Sequence, residues 1–433
     1  MNSLGGYRWL LIAILAAALG VRLVAGAWWQ QRLPVGQRFA FSDSEGYWEL
    51  ARTLARGEPY EYGPERYRIF RTPGYPLILA GLFLFGGNEP PIWAARMISA
   101  VLGTLAVAGV AALGRLLFGE RAALVAAAMA AVYPEAIALS TFVLSEAPFC
   151  PLFVWQLVAW TKGWQARDKR ALIGWSLGAG LLGGLATLMR PSWLLFIPFA
   201  LAFGLLATIK PRGDSLPKQL AMGGLLLAGL CLAMLPWWIR NYAVAGRFVP
   251  TSLQVGASLY DGISPTATGA SDMRFVAGFV QTQHAADARH IPPAAPRLFE
   301  DRLDQRMQGA ALAFARANPG RVAELAGIKL LRMWNLWPNA AELGSTTLRL
   351  ALATTYLPVM LLAVAGAWRF SRRGWPYVLC WLPAVYFTLL HVIFVSSIRY
   401  RQPAMLPLIV LAAGMLVSLV WSHDKPIATN SAP

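Results

Sequence analysis

An all-α polytopic membrane protein, a bundle of about ten spans, is the fold class this sequence predicts, and three observations carry that prediction. Hydrophobic residues make up 57% of the 433-residue chain and charged residues 14%, where soluble domains carry about 25% charged. The apolar residues fall in long runs, several approaching the roughly 20 residues needed to cross a bilayer. The formal charge of +17 is mostly arginine, scattered among those runs with no basic tail and no nucleic-acid motif. Topology and anionic lipid or phosphate partners explain that charge, and no nucleic-acid role is expected.

The runs lie near 8–27, 92–117, 121–139, 143–161, 171–189, 192–209, 219–238, 346–368, 375–394 and 404–421. The first follows a single Arg, with no convincing small-residue cleavage site, so it reads as an uncleaved span rather than a signal peptide. Lys162, Arg167, Lys169 and Arg170 share one short loop; Lys210, Arg212 and Lys218 share a second; Arg369, Arg372 and Arg373 share a third. Placing these loops inside puts both chain ends inside and leaves 28–91 and 239–345 outside. Residues 1–433 then form a single membrane-embedded domain, with 28–91 as a first outer loop and 239–345 as a large outer loop. Cys150, Cys231 and Cys380 all sit in apolar runs without paired spacing, so they read as core packing rather than disulfides or zinc ligands.

In the first outer segment, Ser42-Asp43-Ser44-Glu45 predicts a helix start with Ser42 as cap and Glu45 at the third helical position. Tyr47, Leu50, Ala51 and Leu54 then repeat at helical spacing, a pattern that suits a helix on the membrane surface. Pro73 to Phe85 is apolar but short for a span and reads as a second interfacial helix. Residues 261–300 show no steady period and read mostly as loop, followed by a polar helix near 299–317 and an amphipathic, Trp-rich stretch from Leu325 to Trp337.

Charge this close to a bilayer is costly to desolvate and therefore marks candidate sites. Asp43 offers a carboxylate that can take a proton from an acceptor hydroxyl, and Glu45 offers a second acid or a ligand for a divalent cation. The bland alternative is a helix cap. Two residues apart on a helix point about 200° from one another, so both acids face one site only if Asp43 precedes the helix or the triplet is extended. Arg71 precedes Thr-Pro-Gly-Tyr-Pro, whose rigid backbone would fix a guanidinium for bidentate phosphate binding; headgroup snorkelling is the alternative. Glu146 is the one acid close to its run, which suggests an arginine partner within the bundle or, more simply, a favourable helix N-terminus. Arg190, Arg240-Asn241 and Arg399-Tyr400-Arg401 also end runs on the outer side. Together these arginines meet Asp43 at one membrane face, as an anionic lipid phosphate would require, whereas singly each fits a headgroup ring. The four histidines lack metal spacing, His284 and His290 read as loop residues, and no Gly-rich phosphate loop appears.

RTPGYPLILA after the Asp43 loop, then LSEAPF, LMRP, PWWIRNYAVAGRFVP with LYDGISPTATG, and IRYRQPAMLPLIVLAAG follow in order along most of the chain. This ordered set resembles the bacterial GT-C glycosyltransferases, and more narrowly glycosyltransferase family 39, the dolichyl-phosphate-mannose-protein mannosyltransferase-like group with the aminoarabinose transferase as a relative. The resemblance implies a GT-C-like bundle and an inverting transfer of sugar from a polyprenyl-phosphate donor to an extracytoplasmic acceptor: an envelope lipid, a glycan or a protein. It implies a bacterial plasma (inner) membrane protein among membrane lipids, with its active site on the extracytoplasmic face. Asp43 matches the catalytic acid of the first outer loop; Arg71, Arg240, Arg399 and Arg401 match candidates for the lipid phosphate; Glu146, Arg190, Asn241 and Tyr400 would support them. Two departures stand out. The acids read Asp-Ser-Glu rather than adjacent Asp-Glu, and the large soluble C-terminal domain of some relatives is not expected here. No cofactor is assigned beyond an optional divalent cation. A proton-coupled transporter or flippase using Asp43 or Glu146 is the alternative class, although such proteins often carry repeats and a midplane site, which the sequence does not suggest. A non-catalytic assembly subunit docking through 239–345 is the third.

Overall fold

The described residues of all ten apolar runs fold mainly as helix in the computed structural model, which describes residues 3–206, 216–289, 298–337 and 346–421. Lys210, Arg212 and His290 fall outside the described residues. In chain order the helices are α1 Ser3–Arg32, α2 Ser42–Ala55, α3 Gly74–Gly86, α4 Ile92–Phe118, α5 Glu120–Val132, α6 Pro134–Leu139, α7 Glu146–Gln165, α8 Lys169–Met189, α9 Phe196–Leu206, α10 Leu216–Ala245, α11 Val255–Gly262, α12 Val276–Ala288, α13 Phe299–Ala317, α14 Pro319–Met333, α15 Thr346–Phe370, α16 Trp375–Ile393 and α17 Ile398–Val420. β pairing among the described residues is limited to a Tyr62–Tyr67 bridge.

Seven of these helices are long and apolar enough to cross a membrane: α1, α4, α8, α10, α15, α16 and α17. The protein is a multi-pass membrane protein, an all-α bundle as the sequence predicts. The three other apolar runs differ from simple spans for local reasons. The run at 121–139 breaks because Pro134 has no N–H to donate, so Tyr133 turns extended and α6 starts afresh. The run at 143–161 becomes α7, whose Glu146, Gln156 and Lys162 dilute its apolar character. The run at 192–209 opens with a 3-10 turn, and α9 is followed as far as Leu206.

The bundle closes where small residues let backbones touch. A Cβ on Gly180 of α8 would lie 2.2 Å from the Leu226 carbonyl oxygen of α10, and one on Gly229 would lie 2.4 Å from that of Leu177. Helix α17 is the axis: residues 401–414 are buried on every side, which explains a sequence apolar all round rather than striped.

The sequence expectations need three corrections. Helix α2 begins at Ser42, so Phe41 holds the cap position without a side-chain bond and Ser42 is not the cap. Asp43 is therefore inside the first turn, where the helix dipole favours an acid. The described residues of 261–300 are not mostly loop, since α12 occupies Val276–Ala288 and places His284 on a helix, 2.9 Å from Glu65. Cys231 is exposed on the flank of α10, whereas Cys150 and Cys380 are buried.

Candidate functional site

Four helix ends bring their charges together at one end of the bundle. Asp43 comes from the first turn of α2, Glu146 from the first residue of α7, Arg190 from the residue after α8, and Arg399 from the first turn of α17. Arg71 arrives on the turn-rich segment before α3. Asp43 Oδ1 accepts from Arg71 Nη2 at 2.8 Å, and its Oδ2 lies 3.5 Å from Arg399 Nη2. Glu146 is fully buried; its Oε1 meets Arg190 Nη1 at 2.6 Å and also accepts from Arg399 Nε, while its Oε2 accepts from Arg399 Nη2 at 3.1 Å. Arg399 thus bridges the two carboxylates, as a planar fork can and a point charge cannot.

Local sequence explains each position. Arg190 precedes Pro191, which forces it into the extended region (φ −137°) and turns its side chain off the axis of α8. Gly74 in RTPGYP has no room for a side chain, since a Cβ would stand 2.6 Å from the Leu188 carbonyl oxygen. That close approach seats the start of α3 beside the end of α8 and brings Arg71 toward Arg190. Gly46 does the same for the Arg71 guanidinium, whose Nε would be 3.0 Å from a Cβ there. Tyr47 lies under Arg71 at 4.8 Å, and Tyr400 lies beside both Arg190 (5.7 Å) and Arg399 (5.8 Å). Tyr400 in turn stacks on His391 at 4.2 Å.

Burial alone would push the Asp43 carboxyl up, but Arg71 and Arg399 outweigh it and hold it below the ordinary carboxylate range. Asp43 is accordingly ionised at neutral pH. Its side chain keeps about a third of its surface exposed (35%), against 11% for Arg71 and 22% for Arg399, so of these three groups the carboxylate is the most open to a ligand.

Other predicted site residues stand elsewhere. Glu45 is exposed, on the far side of α2 from Asp43, because both acids are helical and two positions apart. The acid sharing an arginine with Asp43 is Glu146. Arg401 is fully buried, bonded to Glu135 at 2.5 Å and to the Met333 carbonyl at 3.2 Å, with Tyr356 against its face at 3.8 Å. Successive residues on α17 point about 100° apart, which separates Arg401 from Arg399. Arg240 donates to the Arg68 (2.8 Å) and Tyr60 (3.2 Å) carbonyls, and Asn241 donates to the Val249 carbonyl at 3.2 Å; both fasten loops rather than face the acids. Among the described residues no three His, Cys, Asp or Glu side chains gather as a metal-holding group, and Arg399 stands between Asp43 and Glu146.

Sequence reasoning passed over several groups. Arg22 and Arg96 are buried in α1 and α4, and hold the carbonyls of Ala130, Ala131 and Thr141 on the stretch leading to Glu146. Their signal was present, since each is an arginine inside an apolar run. Glu300 had no such signal. It accepts from the Arg68 and Ile69 amides, both at 3.0 Å, and so clamps the outer helix α13 onto the segment leading to Arg71. Burial raises Glu300 from 4.5 to about 7, against the opposing pull of those amides and of Arg240. The folded state then holds this proton more tightly than the unfolded chain, so its contribution is lost as pH rises from about 4.5 through about 7. Thermal unfolding in detergent should show the melting temperature falling across that window, and Glu300→Gln should flatten the slope. Equal slopes in both proteins would exclude Glu300 as the cause.

Residues 71–239 match the family model described as dolichyl-phosphate-mannose-protein mannosyltransferase, a segment that opens on Arg71 and includes Glu146 and Arg190. No curated protein sequence matches the chain. Among solved structures, the apo oligosaccharyltransferase of Archaeoglobus fulgidus superposes with a TM-score of 0.60 at 14% identity, covering 96% of this chain and 51% of that one. The same organism's oligosaccharyltransferase AglB, in complex with an inhibitory peptide and a dolichol-phosphate, gives 0.58 at 16% identity, covering 98% and 53%. ArnT from Cupriavidus metallidurans bound to undecaprenyl phosphate gives 0.45 at 18% identity, covering 96% and 80%. The chain spans about half the length of the oligosaccharyltransferases it matches. On a fold shared with a membrane oligosaccharyltransferase, residues 71–239 carry the sequence signature of the dolichyl-phosphate-mannose-protein mannosyltransferase family.

Proposed function

We propose that this chain is an inverting glycosyltransferase that moves a sugar from a polyprenyl-phosphate donor to an extracytoplasmic acceptor. The observation that carries the reading is the Asp43–Arg71–Arg399–Glu146–Arg190 cluster. Three guanidiniums share two carboxylates, which leaves one net positive charge at a bundle end. Each guanidinium has five N–H donors, and the acids use only some of them. The remainder suit the oxygens of a phosphate held at headgroup depth by its lipid tail. The family match over 71–239 supports a phosphate-linked sugar donor and favours an enzyme over a transporter.

In this reaction the acceptor hydroxyl oxygen attacks the anomeric carbon from the face opposite the phosphate. A carbon–oxygen bond forms to the acceptor as the bond to the phosphate oxygen breaks. The phosphate leaves with the electron pair, and its growing charge is met by Arg71, Arg190 and Arg399. Asp43 takes the hydroxyl proton. Glu146 holds Arg190 and Arg399 in place, and Tyr400 supports both. The single-domain organisation, with 28–91 as catalytic loop and 239–345 as outer cover, belongs to the same reading.

The test is turnover. Purified protein should consume an undecaprenyl-phosphate sugar in the presence of envelope lipid extract and release undecaprenyl phosphate. No release with any of a panel of pentose and hexose donors would sink the proposal. The site's orientation is tested separately in cells of a bacterial host. Gln281→Cys should react with an impermeant maleimide in intact cells, and Lys169→Cys should react only after lysis. The reverse pattern would place the site in the cytoplasm.

A further inference from the structure

The opposite end of the bundle carries a second feature that the transferase reading does not use. Met360, Leu361, Val364, Ala365 and Trp368 of α15, with Met415 of α17, wall an apolar notch of about 770 Å3. Arg369 and Arg372 close it at one end. Met415 lies sixteen residues along α17 from Arg399, about 24 Å at 1.5 Å per residue, so this is the membrane face away from Asp43. Trp164 and Trp375, at the matching ends of α7 and α16, pack together at 6.4 Å and mark the same level.

Three observations distinguish the notch from ordinary lipid-facing surface. Its charge is of one sign: Arg369 and Arg372 are exposed, and neither makes an ion pair among the described residues. Trp368 is 82% exposed at the same level, where an indole sits well between acyl chain and headgroup. The floor is rigid, because Gly366 brings α15 against the backbone of α17, a Cβ there falling 2.6 Å from the Leu411 carbonyl oxygen. A fixed apolar wall ending in two unpaired arginines and an indole is complementary to one amphiphile: apolar chains joined to an anionic phosphate. We propose that this notch is a binding site for an anionic phospholipid, its chains along α15 and its phosphate on Arg369 and Arg372.

A second basic groove on that face supplies the control. Arg167, Lys169 and Lys218 gather beside Asp168 and Trp164, with mostly polar walls and a carboxylate of their own. Charge alone would make the two grooves equivalent.

The protein would be ejected from nanodiscs of equimolar phosphatidylglycerol and phosphatidylcholine and its retained lipids weighed by native mass spectrometry. Wild type should retain phosphatidylglycerol in preference. Arg369→Gln and Arg372→Gln should each lower that preference roughly fivefold, from about 1 kcal/mol per basic residue at an anionic surface. Val364→Trp, which fills the notch and leaves both arginines in place, should lower it too. Arg167→Gln with Lys169→Gln should leave it unchanged. Soluble glycerol phosphate at the same concentration should not displace the lipid. The proposal fails if wild type shows no preference, if the control pair lowers retention as much as the notch variants, or if Val364→Trp retains lipid normally. Displacement by glycerol phosphate would make it a phosphate site and overturn the lipid assignment.

Discussion

Asp43→Asn should fold normally and lose turnover by about 10²–10⁴-fold, the usual contribution of a positioned general base. Asn keeps the size of the side chain, and its carbonyl oxygen can still accept the 2.8 Å bond from Arg71. What it loses is the charge and the ability to take a proton. Two roles for Asp43 predict different kinetics. If it only ties Arg71 to Arg399, Asn loosens the phosphate-binding arginines, and KM rises while kcat holds. If it is the base, kcat falls and KM changes little. The pH profile offers an independent check. Because Arg71 and Arg399 hold its carboxyl below the ordinary range, activity should persist as pH falls from neutral and fail only once Asp43 protonates in that lowered range. Undiminished kcat in well-folded Asp43→Asn would leave Asp43 as an ion-pair partner and remove it from the chemistry.

Much of the bundle was legible because membrane helices write themselves in one dimension. A run such as 375–394 is apolar for its whole length, and α16 follows it within a residue at each end. Where a helix was cut short, as α5 is by Pro134, the proline was visible but the long apolar average hid it. The outer segments were harder. Helix α12 has no strong apolar stripe: Phe279 and Val280 pack against the Leu303–Met307 cluster while Gln283 meets Arg306 at 2.8 Å, so no hydrophobic period announced it. The site was legible as a list but not as a geometry. Asp43, Arg71, Glu146, Arg190 and Arg399 are each odd enough to notice in their local sequence, yet which arginine meets which acid depends on contacts across 28 to 356 residues. Arg399 and Arg401, two residues apart, looked equivalent from spacing. Only helical phase, fixed by how α17 packs, sends one to the two acids and the other to Glu135.

That phase difference makes the pair Arg399 and Arg401 a sharp test. Arg399→Lys should lower kcat by about 10²-fold or more, the scale of losing one fixed donor to developing charge, while the protein remains folded. A lysine ammonium can meet Asp43 or Glu146 but cannot fork between them, and it leaves Glu146, which is fully buried, with Arg190 as its one remaining guanidinium. Arg401→Met should behave in the opposite way. It strands Glu135, which is 8% exposed and next to Tyr133, and it frees the Met333 and Asn335 carbonyls that Arg401 caps. Breaking a buried pair from one side costs about 3–5 kcal/mol, so the variant should melt at markedly lower temperature. The fraction that remains folded should turn over donor at near the wild-type rate, since Arg401 touches none of the five clustered side chains in the described contacts. Thermal unfolding in detergent and single-turnover donor consumption, both measured on the two variants, separate the roles. A stable Arg401→Met with a tenfold kcat loss would put Arg401 back at the phosphate, and a fully active Arg399→Lys would dissolve the cluster as a site.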